Sequence, residues 1–364
     1  MKISKDGLLV LLLLLGLKAA TYGQKAQVEA LMNRYRAKDN FNGSVLIAKN
    51  GKIDYVTYIG LANREDSIKY SSKAKFHIFS ATKTFTAALI MQLYEQGKIH
   101  LDSSIATYLP DYKGEAAHKA TIRDLLTYSS GRDKREMREI AEAYNSTIWP
   151  VDSFITRYCS ERLVTQPGTR FAYNNGDFIL LGKIIERLYG QPFEEVLRQK
   201  ILTPLGMRNT DYLHHEDVIA HLDRGYFNSG SSPVTFSRPT NYYIDNYFSA
   251  GAMYSTPTDL LLFDQALFHH RLLKKETVQL MLTPYKSLGD VAFGFWVYPK
   301  QIGEGTTYVV AERQGYGYGH HTNWVHLIDQ DITLIIMSNS NTVDPNKMRW
   351  EVLSAYLKGS IDKK

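Results

Sequence analysis

Ser80 and Lys83 stand three residues apart at the start of a predicted helix, and together they could form a nucleophile and its base. Residues i and i+3 lie on one helix face, so the hydroxyl and the ammonium can meet. The unpaired N–H groups and positive dipole of a helix start would stabilise an oxyanion there. Burial beside that positive end would favour neutral lysine, which could accept the serine proton. Taken alone, the pair is better explained by a serine N-cap followed by a surface lysine.

Tyr173 and Asn175 form a second candidate pair, between a turn predicted at Pro167-Gly168 and a predicted helix. Two residues apart in extended backbone, their side chains point the same way. A tyrosine beside a lysine can share a proton and act as acid or base, and an asparagine amide can hydrogen-bond a substrate amide. The alternative is a buried tyrosine followed by an asparagine N-cap.

Arg313, Gly315 and Tyr316 form a third candidate group, on a predicted strand near the C terminus. A strand edge that carries a cation and then glycine could admit a substrate backbone and bind its carboxylate. The Tyr316 N–H could serve as a second oxyanion donor. The alternative is a strand that ends in a glycine-rich turn, since glycine recurs at positions 315, 317 and 319.

The elements that must position these residues follow from periodicity and turn signals. A hairpin is predicted within residues 41–62, because Asn50-Gly51 is the strongest two-residue hairpin signal and separates two apolar strands at 43–49 and 53–59. Further predicted elements are helices over 80–96, 175–189, 193–201, 257–268 and 345–357, and strands over 306–313, 324–328 and 332–338. Strands at both ends with helices between them favour one antiparallel sheet built from both termini, with a helical subdomain inserted.

The three groups, in this order, resemble the S-x-x-K, Y-x-N and K/H-T-G-like motifs of the serine β-lactamase and penicillin-binding-protein superfamily. The chain resembles in particular its class C β-lactamase-like branch, which also holds D-Ala-D-Ala carboxypeptidases, D-amino-acid peptidases and carboxylesterases. Other similar segments are residues 42–51, 125–131, 173–182, 201–207 and 249–259, so the resemblance covers nearly the whole mature chain. It implies an α/β (α+β) protein of the β-lactamase/transpeptidase-like fold.

The resemblance also implies a serine hydrolase that works through an acyl-enzyme. Ser80 would attack an amide or ester carbonyl, and Lys83 and Tyr173 would move its proton to the leaving group. The backbone amides of Ser80 and Tyr316 would form the oxyanion hole. Asn175 would orient the substrate and Lys83.

The third motif departs from the family pattern, because Arg313-Gln314-Gly315 replaces the usual Lys or His followed by Thr-Gly. Arg313 would still bind a substrate carboxylate, with Gly315 beside the substrate. The missing threonine hydroxyl argues against efficient β-lactam hydrolysis more than against hydrolysis of a D-Ala peptide or a carboxylic ester. A penicillin-binding or sensing protein that is acylated without efficient turnover is the alternative.

Residues 1–23 have the pattern of a secretory signal peptide, with Lys2 and Lys5 before an apolar run over 7–17 and small residues over 19–23. The run is too short to span a bilayer, which needs about 20 residues; an uncleaved anchor is the alternative. The predicted protein is therefore periplasmic or secreted, with a hydrolase domain over 24–364. Its sheet subdomain is expected at about 24–79 and 286–364, and its helical subdomain at about 80–285.

The net charge, the cysteine count and the histidine positions argue against several other kinds of function. The 364 residues carry a net charge of +6, which becomes +4 without the leader and indicates no nucleic-acid partner. The lone Cys159 excludes an internal disulfide and a cysteine zinc cluster. The histidine pairs 214–215, 269–270 and 320–321, with His326, lack a recognised metal-ligand spacing, and no G-x-S-x-G motif is present. His320 is left as a group that could assist near the site. We expect a small-molecule or peptide substrate, no cofactor and no catalytic metal.

Overall fold

The computed structural model describes residues 24–38, 41–133, 137–230, 235–303 and 305–361. The predicted leader at residues 1–23 lies outside the described residues. Within the described ranges, no helix combines the length and apolarity that crossing a membrane requires.

The described strands contain one large sheet and several short pairs. They are β1 (Gly43–Lys49), β2 (Lys52–Ile59), β3 (Leu61–Asn63), β4 (Ile68–Lys69), β5 (Phe76–His77), β6 (Asp211–Tyr212), β7 (Phe227–Asn228), β8 (Phe236–Ser237), β9 (Met253–Ser255), β10 (Trp296–Gln301), β11 (Thr307–Gly317), β12 (His320–Leu327) and β13 (Ile332–Ser338). The large sheet has the order β10-β11-β12-β13-β1-β2 and is antiparallel throughout. Its strands come from both ends of the chain, which confirms the predicted fold class.

Most helices lie between β5 and β10 in the sequence. The described helices are α1 (24–38), α2 (Thr82–Glu95), α3 (Ile105–Tyr108), α4 (Ile122–Leu126), α5 (Met137–Asn145), α6 (Val151–Tyr158), α7 (Asn175–Tyr189), α8 (Phe193–Leu197), α9 (Thr203–Leu205), α10 (Pro257–Phe268), α11 (Lys275–Met281) and α12 (Pro345–Ile361). Short 3-10 turns add Phe79–Ala81, Ile244–Ala250, Lys286–Leu288 and Ile328–Gln330, and a π-helical turn adds Arg198–Leu202.

The central strands are apolar on both faces because helices cover the sheet on both sides. In β1, Val45 and Ile47 pack in an outer core with α1 and α12, whereas Leu46 and Ala48 pack in a larger core on the side of α2 and α10. A strand buried on two faces shows a continuous apolar run instead of alternation. The run 43–49 therefore belongs at the middle of the sheet, where β1 lies between β2 and β13.

Local sequence signals predicted the bounds of several elements to within one residue. The Asn50-Gly51 turn has φ of 49° and 71°, which a primed hairpin turn requires, and β1 and β2 pair across it. Helices α7 and α10 have the predicted bounds. Helix α1 and strand β10 were not predicted, strands β11 and β12 are longer than predicted, and the helix predicted over 193–201 changes to a π-helical turn at Arg198.

Candidate active site

Ser80 lies in a strained turn between β5 and α2. The turn Phe79–Ala81 precedes α2, so the serine stands just before the helix and not inside it. Phe79 has φ of 42°, a conformation that costs a non-glycine residue about 1–3 kcal/mol. Ring contacts hold it there, at 5.8 Å from His77 and 5.8 Å from Tyr247. The turn leaves Ser80 half-buried and therefore within reach of a substrate.

Lys83 is fully buried and points at the serine. Its Nζ donates to Ser80 Oγ at 3.1 Å, to Asn175 Oδ1 at 2.8 Å and to the Ala250 carbonyl at 2.7 Å. An ammonium has three protons for these three acceptors, whereas a neutral amine would leave one acceptor unpaired. Burial lowers the pKa of Lys83 to about 8, despite the opposing influence of Tyr173. The geometry therefore favours a protonated Lys83 at neutral pH.

Tyr173 approaches the same oxygen from the other side. Its hydroxyl lies 2.8 Å from Ser80 Oγ, and Arg313 Nη2 donates to it at 3.2 Å. Burial opposes the phenolate, but the positive charges of Lys83 and Arg313 outweigh it and lower the pKa of Tyr173 to about 7. A tyrosine that ionises near neutral pH can take a proton from the serine it contacts.

Arg313 has a different role from the one expected of it. The residue is 0% exposed, and three of its five N–H donors go to the Ser80 carbonyl at 2.8 Å, the Tyr128 hydroxyl at 2.9 Å and the Tyr173 hydroxyl. A guanidinium buried and bound in this way is not presented to a substrate carboxylate. The expectation of carboxylate binding is therefore corrected: Arg313 is a buried charge that holds the nucleophile turn and stabilises the Tyr173 phenolate.

Two aromatic residues that the sequence did not single out support this tyrosine. The Tyr128 ring stacks on Tyr173 with centroids 4.7 Å apart, and the Trp296 ring lies 6.1 Å from Tyr128 and 6.5 Å from Tyr173. The Arg313 guanidinium lies 5.2 Å from the Trp296 ring. Tyr128 falls in the segment 125–131 that carries the family resemblance, so that signal was available. Trp296 begins the unpredicted strand β10.

Asn175 is positioned by the start of α7. Asn174 is the N-cap, and its side chain accepts from the Gly176 N–H at 2.8 Å, so Asn175 is free to turn toward Lys83. Below it, a buried ion pair joins Arg132 Nη2 to Asp177 Oδ1 at 2.7 Å. Removing one partner of such a pair leaves an unpaired buried charge, so the pair fixes this helix start firmly.

Gly315 is required by the approach of β11 to the nucleophile turn. A Cβ at this position would lie 2.0 Å from the Ile78 carbonyl oxygen and 3.1 Å from the Ala81 nitrogen. Protein backbone fills the space on the Cβ side of Gly315, and its expected role as a substrate contact stays a prediction. The next residue, Tyr316, pairs with His321 in the sheet, and its hydroxyl donates to Asn346 Oδ1 at 2.6 Å. The oxyanion role of the Ser80 and Tyr316 amides stays a prediction.

The close packing at Gly315 predicts a large effect of one added methyl group. We expect Gly315→Ala to lower the free energy of unfolding by about 1–3 kcal/mol, since overpacking forces β11 away from the turn. Activity should fall further, because the Tyr316 amide would move with the strand. Gln314→Ala is the control, since that side chain lies on the other strand face, toward Glu312. Denaturant unfolding measures the stability of each variant, and ester hydrolysis measures its activity. Equal stability and activity in Gly315→Ala and Gln314→Ala would contradict the predicted effect of close packing at Gly315.

His320 does not take the place of a catalytic base. Its ring packs 5.8 Å from Phe79 and 4.5 Å from His77, whereas the hydrogen bonds of Ser80 Oγ go to Lys83 and Tyr173. The structure thus brings four predicted side chains, those of Ser80, Lys83, Tyr173 and Asn175, into one connected group.

Comparisons with known proteins show the family of this chain. A family model described as Beta-lactamase matches residues 28–357. A putative penicillin-binding protein PbpX of Bacillus subtilis is 28% identical over 74% of this chain and 65% of its own length. A teichoic acid D-alanine hydrolase of Staphylococcus aureus is 27% identical over 76% of this chain and 68% of its own length. The chain thus spans about two thirds of the length of these relatives.

The fold is also shared with solved structures. The octameric penicillin-binding protein homologue from Pyrococcus abyssi superposes with a TM-score of 0.78 at 24% identity, covering 92% of this chain and 77% of that one. At this identity the likeness concerns the fold alone.

Proposed function

This chain belongs to the beta-lactamase family, and from that premise we propose that it is a serine hydrolase that forms an acyl-enzyme at Ser80. One observation carries the proposal: Ser80 Oγ is contacted both by Lys83 Nζ at 3.1 Å and by the Tyr173 hydroxyl at 2.8 Å. A nucleophile needs a base within hydrogen-bond distance and a group that holds the base in its active state. Here Tyr173 is the base, and Lys83 and Arg313 hold it as a phenolate.

The acylation step follows from these contacts. The Tyr173 phenolate takes the Ser80 proton, and Oγ forms a bond to the substrate carbonyl carbon. The resulting oxyanion is stabilised by the Ser80 and Tyr316 amides. Tyr173 then returns the proton to the leaving oxygen or nitrogen as its bond to carbon breaks. In deacylation a water replaces the leaving group, gives its proton to Tyr173 and releases the acid, with Ser80 reprotonated.

The charges around the site favour a substrate that needs no carboxylate. Arg313 is committed to the nucleophile turn, and the nearby Arg349 is paired with Glu312 at 3.2 Å. Both guanidinium groups are buried and already bound to protein partners. Beside Tyr173 and Asn175 lies a cavity of about 240 Å³ with apolar walls that include Phe154. We therefore propose a carboxylic ester or amide that lacks a free carboxylate, and the Staphylococcus aureus relative's name makes D-alanyl esters the first class to test.

We also propose that the protein acts outside the cytoplasm, in the cell envelope. The apolar run over residues 7–17 with its basic start supports export. The names of the two relatives, which refer to penicillin and to teichoic acid, support the same location. N-terminal sequencing of the protein recovered from the producing cell would test it, with cleavage near residue 23 expected and an intact Met1 contradicting cleavage.

A substrate panel separates the proposed hydrolase from its alternatives. Nitrocefin, a D-Ala-D-Ala peptide, D-alanyl esters and p-nitrophenyl esters would each be tested with the wild type and with Ser80→Ala. We expect multiple turnovers on esters, slower turnover of nitrocefin, and turnover lowered by about 10⁴-fold or more in the variant. If labelled penicillin stays attached for hours and no substrate turns over, the protein is an acylated binding or sensing protein instead.

The pKa values of the site predict the pH dependence of ester hydrolysis. The base form of Tyr173 appears as pH rises through about 7, so kcat/KM should rise there. Loss of the third Lys83 proton above about 8 should lower kcat/KM again. The two groups titrate as a pair, so the profile reports values of the pair. A rate profile at constant ionic strength measures this, and a single rise near 10, where an ordinary tyrosine ionises, would contradict it.

A further inference from the structure

A second cluster of ligand-type side chains lies behind the nucleophile turn. We propose that His77, Asp223 and His320 bind one divalent transition-metal ion of the zinc type, in a structural role. The three residues come from β5, from the segment before β7 and from β12, so no local spacing in the sequence connects them. A metal there would link the large sheet to the segments that carry the active site.

The potential ligand atoms converge on one place. One ligand atom from each of the three side chains lies within 4.8 Å of the others. Asp223 Oδ1 and His320 Nε2 are 3.1 Å apart, and the two imidazole rings have centroids 4.5 Å apart. A tetrahedral zinc with bonds of about 2.0–2.1 Å holds its ligand atoms about 3.3 Å apart. The aspartate and His320 already have about this spacing at 3.1 Å, and the His77 ligand atom, within 4.8 Å of both, would have to move closer as the ion binds.

These atoms are buried and unsatisfied in the described part of the chain. Asp223 is 3% and His320 is 2% exposed, and Asp223 Oδ1, His320 Nε2 and His77 Nδ1 have no hydrogen-bond partner among the described residues. The 3.1 Å approach of oxygen and nitrogen therefore lacks hydrogen-bond geometry. Each buried polar atom left without a partner costs about 1–3 kcal/mol, so three at one point require an explanation. A shared cation satisfies all three together.

The surroundings of Asp223 are those of a carboxylate oriented to bind a metal ion. The Tyr70 hydroxyl donates to Asp223 Oδ2 at 2.8 Å, which orients the group and leaves Oδ1 directed at the histidines. Metal-ligating carboxylates are commonly held by such outer hydrogen bonds. The two arginines at the same cavity, Arg224 and Arg238, face Glu65 at 3.8 Å and 3.3 Å, so Asp223 is not neutralised by an ion pair with them.

A cavity of about 370 Å³ opens beside the three residues. It provides room for a water as a fourth ligand and a path by which the ion can enter. Three protein ligands plus water is a common arrangement for zinc. The cluster packs against Phe79, since the rings of both histidines are 5.8 Å from the Phe79 ring. The ion would therefore fix the rings that hold the strained turn, without touching the reacting atoms.

The proposal is tested first on the intact wild-type protein. After dialysis against EDTA and removal of the chelator, the protein is titrated with Zn²⁺ by calorimetry and with Co²⁺ by visible spectroscopy. We expect one ion per chain, the strong d–d absorption of four-coordinate cobalt, and a higher thermal midpoint with Zn²⁺ than with EDTA. Mg²⁺, which prefers oxygen ligands, should give no such shift. Failure of both Zn²⁺ and Co²⁺ to bind stoichiometrically would overturn the proposal. The three side chains would then be a packing contact without a metal ion.

Variants of the cluster residues then test where the ion binds. His320→Gln and Asp223→Asn should weaken Zn²⁺ binding by at least about 10-fold and remove the cobalt absorption. His118→Gln, which changes an exposed histidine elsewhere, should bind as the wild type does. If the two cluster variants bind Zn²⁺ as tightly as His118→Gln, the ion sits elsewhere and the proposal is wrong. Should a cluster variant not fold, the wild-type cobalt spectrum decides, because it must show nitrogen and oxygen ligands in four-coordinate geometry.

Discussion

Replacement of Ser80 by alanine is expected to lower kcat/KM for the best ester by about 10⁴-fold or more, with the fold intact. The serine oxygen is the only atom of this residue that Lys83 and Tyr173 contact, and its loss removes the atom that bonds to the substrate. Residual rate would come from the oxyanion donors and from substrate binding. Steady-state kinetics together with a thermal unfolding curve measure the two effects separately.

Ser71→Ala is a suitable control for this variant, because Ser71 is exposed and lies outside the site. It should keep wild-type kinetics and should rule out an effect of the expression or purification. If Ser80→Ala kept wild-type turnover while Ser71→Ala did too, another residue would be the nucleophile and the proposed function would be wrong.

Replacement of Tyr173 by phenylalanine is expected to lower kcat/KM by about 10²–10⁴-fold, the usual contribution of a general acid and base. The ring and its stacking on Tyr128 remain, so the change removes only the hydroxyl that contacts Ser80 and Arg313. The rise of the rate near pH 7 should disappear in this variant, because the group with the lowered pKa is gone. Full pH profiles of wild type and variant would show both effects.

Tyr128→Phe is the matched control for that change. Tyr128 also binds Arg313 through its hydroxyl, at 2.9 Å, and is also an aromatic residue of the same stack. Its hydroxyl is bound to Arg313 and takes no part in the serine contact, so we expect a much smaller loss and a pH profile of the wild-type shape. If both variants lost activity equally, the two tyrosines would act by holding Arg313, and Tyr173 would not be the base.

The parts of the fold predictable from sequence were those set by local rules. The Asn50-Gly51 turn and the apolar stripe of α7 are each specified by residues close together in the sequence. The hairpin turn forms at the predicted position, and α7 has the predicted first and last residues. Helix α1 was missed because its apolar residues, such as Val28 and Met32, become meaningful only against the outer face of the sheet. Strand β10 was missed because it is an edge strand paired to β11 alone.

In the site as well, the residue types could be predicted from sequence motifs, whereas the surroundings of each side chain depend on the fold. Motif spacing identified Ser80, Lys83, Tyr173 and Asn175, because each is defined by a short pattern at an element boundary. The same reasoning assigned Arg313 to a substrate carboxylate, since a strand motif does not show that the side chain points inward. Its complete burial, and the backbone packed against Gly315, arise from contacts between β11 and the turn before α2.

The histidines illustrate the limit of spacing as a guide to metal sites. Neighbouring histidines such as His320 and His321 suggested no ligand set, because successive strand residues point to opposite faces. The cluster appears only when the fold brings three distant segments together.

The most direct test of the central claim is the site of acylation. Wild-type protein is treated with penicillin or with a slowly released ester, quenched in acid, and digested for peptide mass spectrometry. We expect one acyl group per chain, located on Ser80, and none in Ser80→Ala. An acyl group on another residue, or ester turnover in Ser80→Ala at the wild-type rate without any adduct, would contradict the proposed acyl-enzyme.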